Sequence, residues 1–106
     1  MTTDYSEDVK KYAKHCDEAC VAGIVRHLGI ALRSRDASMV SCSDESERNR
    51  VRDSFLRKKL GRTEADASLD EAILEVCQAM KDTRQKHRVT FYYLLAEKFG
   101  QLDMFK

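Results

Sequence analysis

The chain has 106 residues, 42% hydrophobic and 35% charged, with no proline, four glycines, four cysteines and a formal net charge of +1. That length suits one domain and is enough for a core without the staple that chains below roughly 70 residues usually need, so residues 1–106 read as a single helical domain and a multidomain machine is excluded. Nineteen Lys and Arg against eighteen Asp and Glu leave a weak overall field, which argues against a dedicated polyanion binder.

The first residues, Met1 to Asp8, are acidic and polar where a secretory signal needs basic and then apolar residues, so a cytoplasmic protein is expected. A first helix can start at Asp4 or Ser6 and bury Tyr5, Val9, Tyr12 and Ala13. Asp17 then caps a second helix, whose Cys20, Val21, Ile24, Val25 and Leu28 form one apolar stripe before Gly29 offers a stop. The most apolar run, Ala19 to Leu32, is broken by Arg26 and His27 and is shorter than the roughly 20 residues that span a bilayer, so no membrane segment is expected. Ile30 to Val40 is ambiguous, either a continuation or a short helix around Ala37 to Val40.

Ser43, with Asp44, Glu45 and Glu47 in the first turn, opens a third helix through Val51, Phe55, Leu56 and Leu60 to Gly61. Asp66 or Ser68 starts a fourth, with Leu69, Ile73, Leu74, Val76, Cys77 and Met80 inward. After a polar connection, Lys81 to Arg88, a fifth helix carries Phe91, Tyr92, Leu94, Leu95 and Phe99 to Gly100, with Tyr93 on its polar side as a surface contact. Three glycines thus stand where a helix can end in the left-handed conformation, and no segment alternates with period two. The fold class is therefore all-α, a compact bundle of about five short amphipathic helices.

Three stretches carry a family resemblance: Ala22 to Ser38, Val51 to Leu56, and Arg88 to Gly100. They resemble a small bacterial family catalogued as domain of unknown function family 2853, over nearly the full chain. The resemblance implies a compact bacterial protein and carries no activity or functional residue with it.

Arg48, Arg50, Arg52, Arg57, Lys58, Lys59 and Arg62 face only Asp53 in their own stretch, which raises a nucleic-acid reading. Helices three and four, however, each begin with acids and end with bases, the arrangement the helix dipole favours at about 0.3–1 kcal/mol per placement. Arg50 and Arg57 also fall on a different side from Arg48, Arg52 and Lys59, whereas a groove-tracking patch would gather them; Arg52 and Lys59 are expected to lie over the core. Ile24 to Ala31 is similar to the start of a helix-turn-helix, but Arg35 stands where that motif buries an aliphatic residue and Val25 where it needs a small one. Direct nucleic-acid contact is not the expectation.

Cys16, Cys20 and His27 share a helix side, yet Cys20 and His27 are about 10 Å apart along the axis, too far for one zinc ion. The four cysteines, Cys16, Cys20, Cys42 and Cys77, show no framework spacing and read as free thiols, several of them in the core. Cys42 lies just before a helix start and is the one candidate nucleophile, with no partner base identified; an exposed capping loop explains it without chemistry. Neither an enzyme nor a cofactor is expected.

The chain ends Gln101-Leu102-Asp103-Met104-Phe105-Lys106. Gln101 to Phe105 resembles the peptide by which bacterial polymerases and repair proteins dock on the sliding clamp; residues 101–106 would then be a free C-terminal tail. By that resemblance Gln101 would hydrogen-bond at the amino end while Leu102, Met104 and Phe105 fill an apolar pocket. Against it, Leu102 and Phe105 return within about 40° of Phe91 if the last helix runs on, and would then extend the core stripe. The leading expectation is a non-enzymatic domain acting through protein contacts or as a homodimer, with clamp docking as the alternative.

Overall fold

The computed structural model describes residues 5–13, 16–29, 39–82 and 86–105. Helix α1, Tyr5–Lys10, buries Val9, while Tyr5, Tyr12 and Ala13 pack against the core from its edge. Helix α2, Glu18–Leu28, starts at the expected cap: the Asp17 carboxylate accepts the backbone N–H groups of Ala19 and Cys20 at 3.0 and 3.4 Å. Such a cap contributes about 1 kcal/mol. The helix stops at Gly29, whose φ of 45° is open to glycine and strained for other residues.

Helix α3, Glu45–Arg50, is capped by Asp44, which accepts the Ser46 N–H at 2.9 Å. It runs without a break into a π-wound segment, Val51–Lys59. The reason lies in the apolar spacing. At the 100° per residue of an α-helix, Val51, Phe55, Leu56 and Leu60 would spread over about 180°; the wider turn gathers all four on the buried side. The Leu60 N–H accordingly donates to Phe55 O, five residues back, at 2.9 Å, and Gly61 follows at φ 68°.

Helix α4, Asp66–Ala79, buries Leu69, Ala72, Ile73 and Val76, with Met80 just beyond it. Leu74, expected inward, is 50% exposed. It lies about 140° around the helix from Leu69, so it cannot share that face.

Helix α5, Arg88–Lys98, is the central element: every residue from Arg88 to Ala96 is buried, and α1, α2 and α4 all pack on it. Two expectations are corrected. Arg88 belongs to the helix rather than to a polar connection, and Tyr93 is 1% exposed, its hydroxyl accepting the Asp17 N–H at 3.0 Å. A helix enclosed on all sides has no polar face to present. It ends in a Schellman turn, in which Gly100 N–H donates to Glu97 O and Gln101 N–H to Ala96 O, at 3.1 and 2.8 Å.

Two further features depart from the expectations. Met39–Val40 (β1) pairs antiparallel with Lys86–His87 (β2), Met39 opposite His87 and Val40 opposite Lys86. Met39 and Val40 are therefore extended rather than helical, and two residues are too few to reveal a period; Ile30 to Ser38 lie outside the described residues. Cys42 and Cys77, expected as free thiols, form a disulfide across a Cα separation of 5.9 Å, while Cys16 and Cys20 remain thiols. Only the packing of α4 beside the start of α3 brings the pair together.

Candidate functional site

Past Gly100 the chain turns back on α2. Leu102–Phe105 forms a single 3-10 turn, and Phe105 is 4% exposed. Its ring stacks beside Phe55 at 6.1 Å between centroids, tilts against His27 at 6.2 Å and lies under Lys59 Nζ at 5.5 Å. Gln101 Nε2 donates to Leu60 O at 2.8 Å, its Oε1 accepts from Arg62 at 3.2 Å, and Leu102 O accepts from the Cys20 thiol at 3.2 Å.

Gln101, Leu102 and Phe105 therefore serve the domain's own packing. Residues 101–105 are seated rather than free, and Lys106 lies outside the described residues. Met104, 44% exposed, and Asp103 face outward. The helix does not run on to achieve this; it stops at Gly100, and a tighter turn delivers Phe105 to the core.

Gly23, Arg26, His27, Lys59, Met104 and Phe105 line an open cleft of about 340 Å³ above the seated turn. Arg26 and Lys59 have no carboxylate partner among the described residues. Partial burial holds the His27 imidazole below its ordinary pKa, and nearby Lys59 adds to the effect, so His27 is neutral at pH 7. The cleft thus offers two permanent cations, a neutral imidazole and an exposed thioether.

Most other bases of the run are internally paired. Arg52 meets Asp53 at 3.0 Å and Asp70 at 3.1 Å, Arg62 meets Glu64 at 2.6 Å, and Arg57 pairs with Asp66. Arg62 also lies over the Phe99 ring at 4.6 Å. Arg52 does bridge to a carboxylate and Lys59 does cover the core, as expected of them. Deeper in the fold, Arg88 pairs with Glu47 and donates to Tyr92 Oη and Met39 O, each at 3.1 Å. Burial opposes its charge, but Tyr92 and Glu47 outweigh that and raise its pKa.

The thiols of Cys16 and Cys20 are directed to different partners, Ser6 O at 3.6 Å and Leu102 O. Cys42, the candidate nucleophile, is joined to Cys77, with its carbonyl accepting from Arg48. A second, smaller cleft of about 150 Å³, lined by Glu45, Arg48, Asn49, Asp70 and Leu74, lies along the α3–α4 seam.

Gly23, which belongs to no motif in the sequence, lines the first cleft, and a Cβ there would strike the Phe105 backbone. One signal was available: glycine inside a helix costs about 1 kcal/mol relative to alanine and marks a close approach.

The fold defines a small all-α bundle closed by a back-folded C-terminal turn. Among the described residues no helix is long and apolar enough to cross a membrane. The chain belongs to the family described as protein of unknown function (DUF2853), which matches residues 4–103. No curated protein matches it.

Proposed function

We propose that the protein is a non-catalytic, cytoplasmic interaction domain whose working surface is the cleft over the seated C-terminal turn, and that its occupant is an acidic segment of a partner protein. One observation carries this reading: Arg26 and Lys59 line the cleft with exposed Met104 and have no carboxylate partner among the described residues, while most bases of the 48–62 run are paired. A segment presenting a carboxylate beside an apolar side chain complements that arrangement, the charge setting orientation and encounter rate and the apolar anchor supplying affinity.

A synthetic peptide containing Asp and Glu around one Leu is the probe, with the same peptide carrying Lys for each acid as control. Titration of the full chain is expected to shift the Met104 methyl and His27 ring signals with the acidic peptide alone, and Arg26→Glu with Lys59→Glu is expected to abolish the shifts. Equal response to both peptides, or none at millimolar peptide, would remove the reading. A mass that doubles with concentration, abolished by the same two substitutions, would make a second copy the occupant.

Docking on a sliding clamp through Gln101 to Phe105 requires the turn to leave its seat, at the expense of about 1.5–3 kcal/mol of Phe105 burial. Micromolar binding to purified clamp that Phe105→Ala abolishes, with the cleft variant unaffected, would transfer the function from cleft to tail.

A further inference from the structure

We propose that Cys42–Cys77 is an exchangeable redox site, a thiol–disulfide couple open to attack by a dithiol reductant, which controls how firmly the entry to α3 is held against α4. The bridge joins residues 35 apart in sequence and stands at the margin of the core, with both cysteines partly exposed. The apolar face of α4, Leu69, Ala72, Ile73, Val76 and Met80, is buried, and the two cysteines pack against this core from its edge. An incoming thiolate can therefore reach the bond while the rest of the core stays closed.

The two cysteines differ at the backbone. The Arg48 guanidinium donates to the Cys42 carbonyl, which holds a positive charge at the backbone of that cysteine. A neighbouring cation stabilises a thiolate, so Cys42 is the better leaving group. The reductant thiolate attacks Cys77 Sγ, the bond between the two sulfurs breaks, and Cys42 leaves as a thiolate. The reductant's second thiolate then attacks the mixed disulfide and releases Cys77. In total, the bridge and one dithiol become two protein thiols and one reductant disulfide, a transfer of two electrons.

What hangs on the bridge is the α3–α4 seam. Upstream of Cys42, the Met39 carbonyl holds Arg88, and downstream Glu47 of α3 holds the same guanidinium. The 150 Å³ cleft with Glu45, Arg48, Asn49, Asp70 and Leu74 follows the seam, and Leu74 lies one helical turn before Cys77. Opening the bridge loosens the start of α3 from α4 and enlarges the apolar surface around Leu74.

The test uses the full chain carrying Cys16→Ser and Cys20→Ser, so that only this couple reports. In a dithiothreitol redox buffer without denaturant, alkylation counted by mass should show two thiols appearing while the near-ultraviolet circular dichroism of the fold is retained. The Leu74 methyl and the Met39 and Val40 amide signals should shift with the reduced fraction. Arg48→Gln should slow reduction by about three- to tenfold, since Cys42 becomes a poorer leaving group. Reduction occurring only with global unfolding, or failure of Cys42→Ser/Cys77→Ser to fold, would make the bridge a structural staple and overturn the proposal. An unchanged rate for Arg48→Gln would overturn the assigned leaving group, and unmoved Leu74 and Met39 signals would overturn the coupling to the seam.

Discussion

A Cβ atom built on Gly23 would stand 1.7 Å from the carbonyl oxygen of Phe105. Helix α2 and the C-terminal turn therefore meet backbone to backbone, with no side chain on α2 at the point of contact. In an unobstructed helix interior, Gly→Ala would add about 0.5–1 kcal/mol. Gly23→Ala is expected to do the opposite, because the obstructing atom belongs to the main chain, and to expose Phe105 in fluorine-labelled spectra. Phe105→Ala alone is expected to cost about 1.5–3 kcal/mol. Together the two should cost less than their sum in urea denaturation, since a turn already displaced by Gly23→Ala has lost the burial that Phe105→Ala removes; strict additivity would show that the contact is absent.

Arg88 and Glu47 are 8% and 12% exposed, an ion pair well removed from water. Removing Glu47 leaves the Arg88 guanidinium buried with only neutral acceptors among the described residues, so Glu47→Leu should cost about 3–5 kcal/mol in equilibrium unfolding. Arg88→Met should cost less, because Glu47 keeps Arg50 at 3.5 Å. The double variant should recover most of that loss, because both desolvation penalties vanish together. A Glu47→Leu cost below about 1 kcal/mol would mean that water screens the pair as it does at a surface.

His27 gives a pH dependence whose sign follows from its surroundings. Burial, then Lys59, depresses its folded pKa below 6.5, so the unfolded chain binds the proton more readily. Its contribution to stability is fully present above pH 6.5 and declines as pH falls toward the folded value. His27→Gln should flatten the urea midpoint between pH 7.5 and 5, and Lys59→Gln should reduce the slope in part. Identical profiles for the wild type and His27→Gln would refute the assignment. Because His27 is an exposed residue, the effect should be small.

Helix ends were legible because they are local. Asp17 and Gly29 bound α2, and Gly61 and Gly100 close two more segments, since capping bonds and left-handed turns are made by residues a few positions apart. The π winding of Val51–Lys59 is implicit in the spacing of Val51, Phe55, Leu56 and Leu60, but it emerges only once all four are known to face inward. Tyr93 and Leu74 depart from the helical-period expectation for complementary reasons. Tyr93 lies on a helix surrounded by others, where an exposed side does not exist, and Leu74 lies on a helix with one buried face, which Leu69 and Ile73 already define.

The helical class, the element order and most of the boundaries are written in local sequence, because apolar period, caps and glycine stops act over one or two turns. Tertiary structure alone decided three things: that Cys42 meets Cys77, that Met39–Val40 pairs with Lys86–His87, and that Phe105 settles over Gly23. Each joins segments distant in the chain, and such contacts depend on how whole helices pack, which no local pattern encodes.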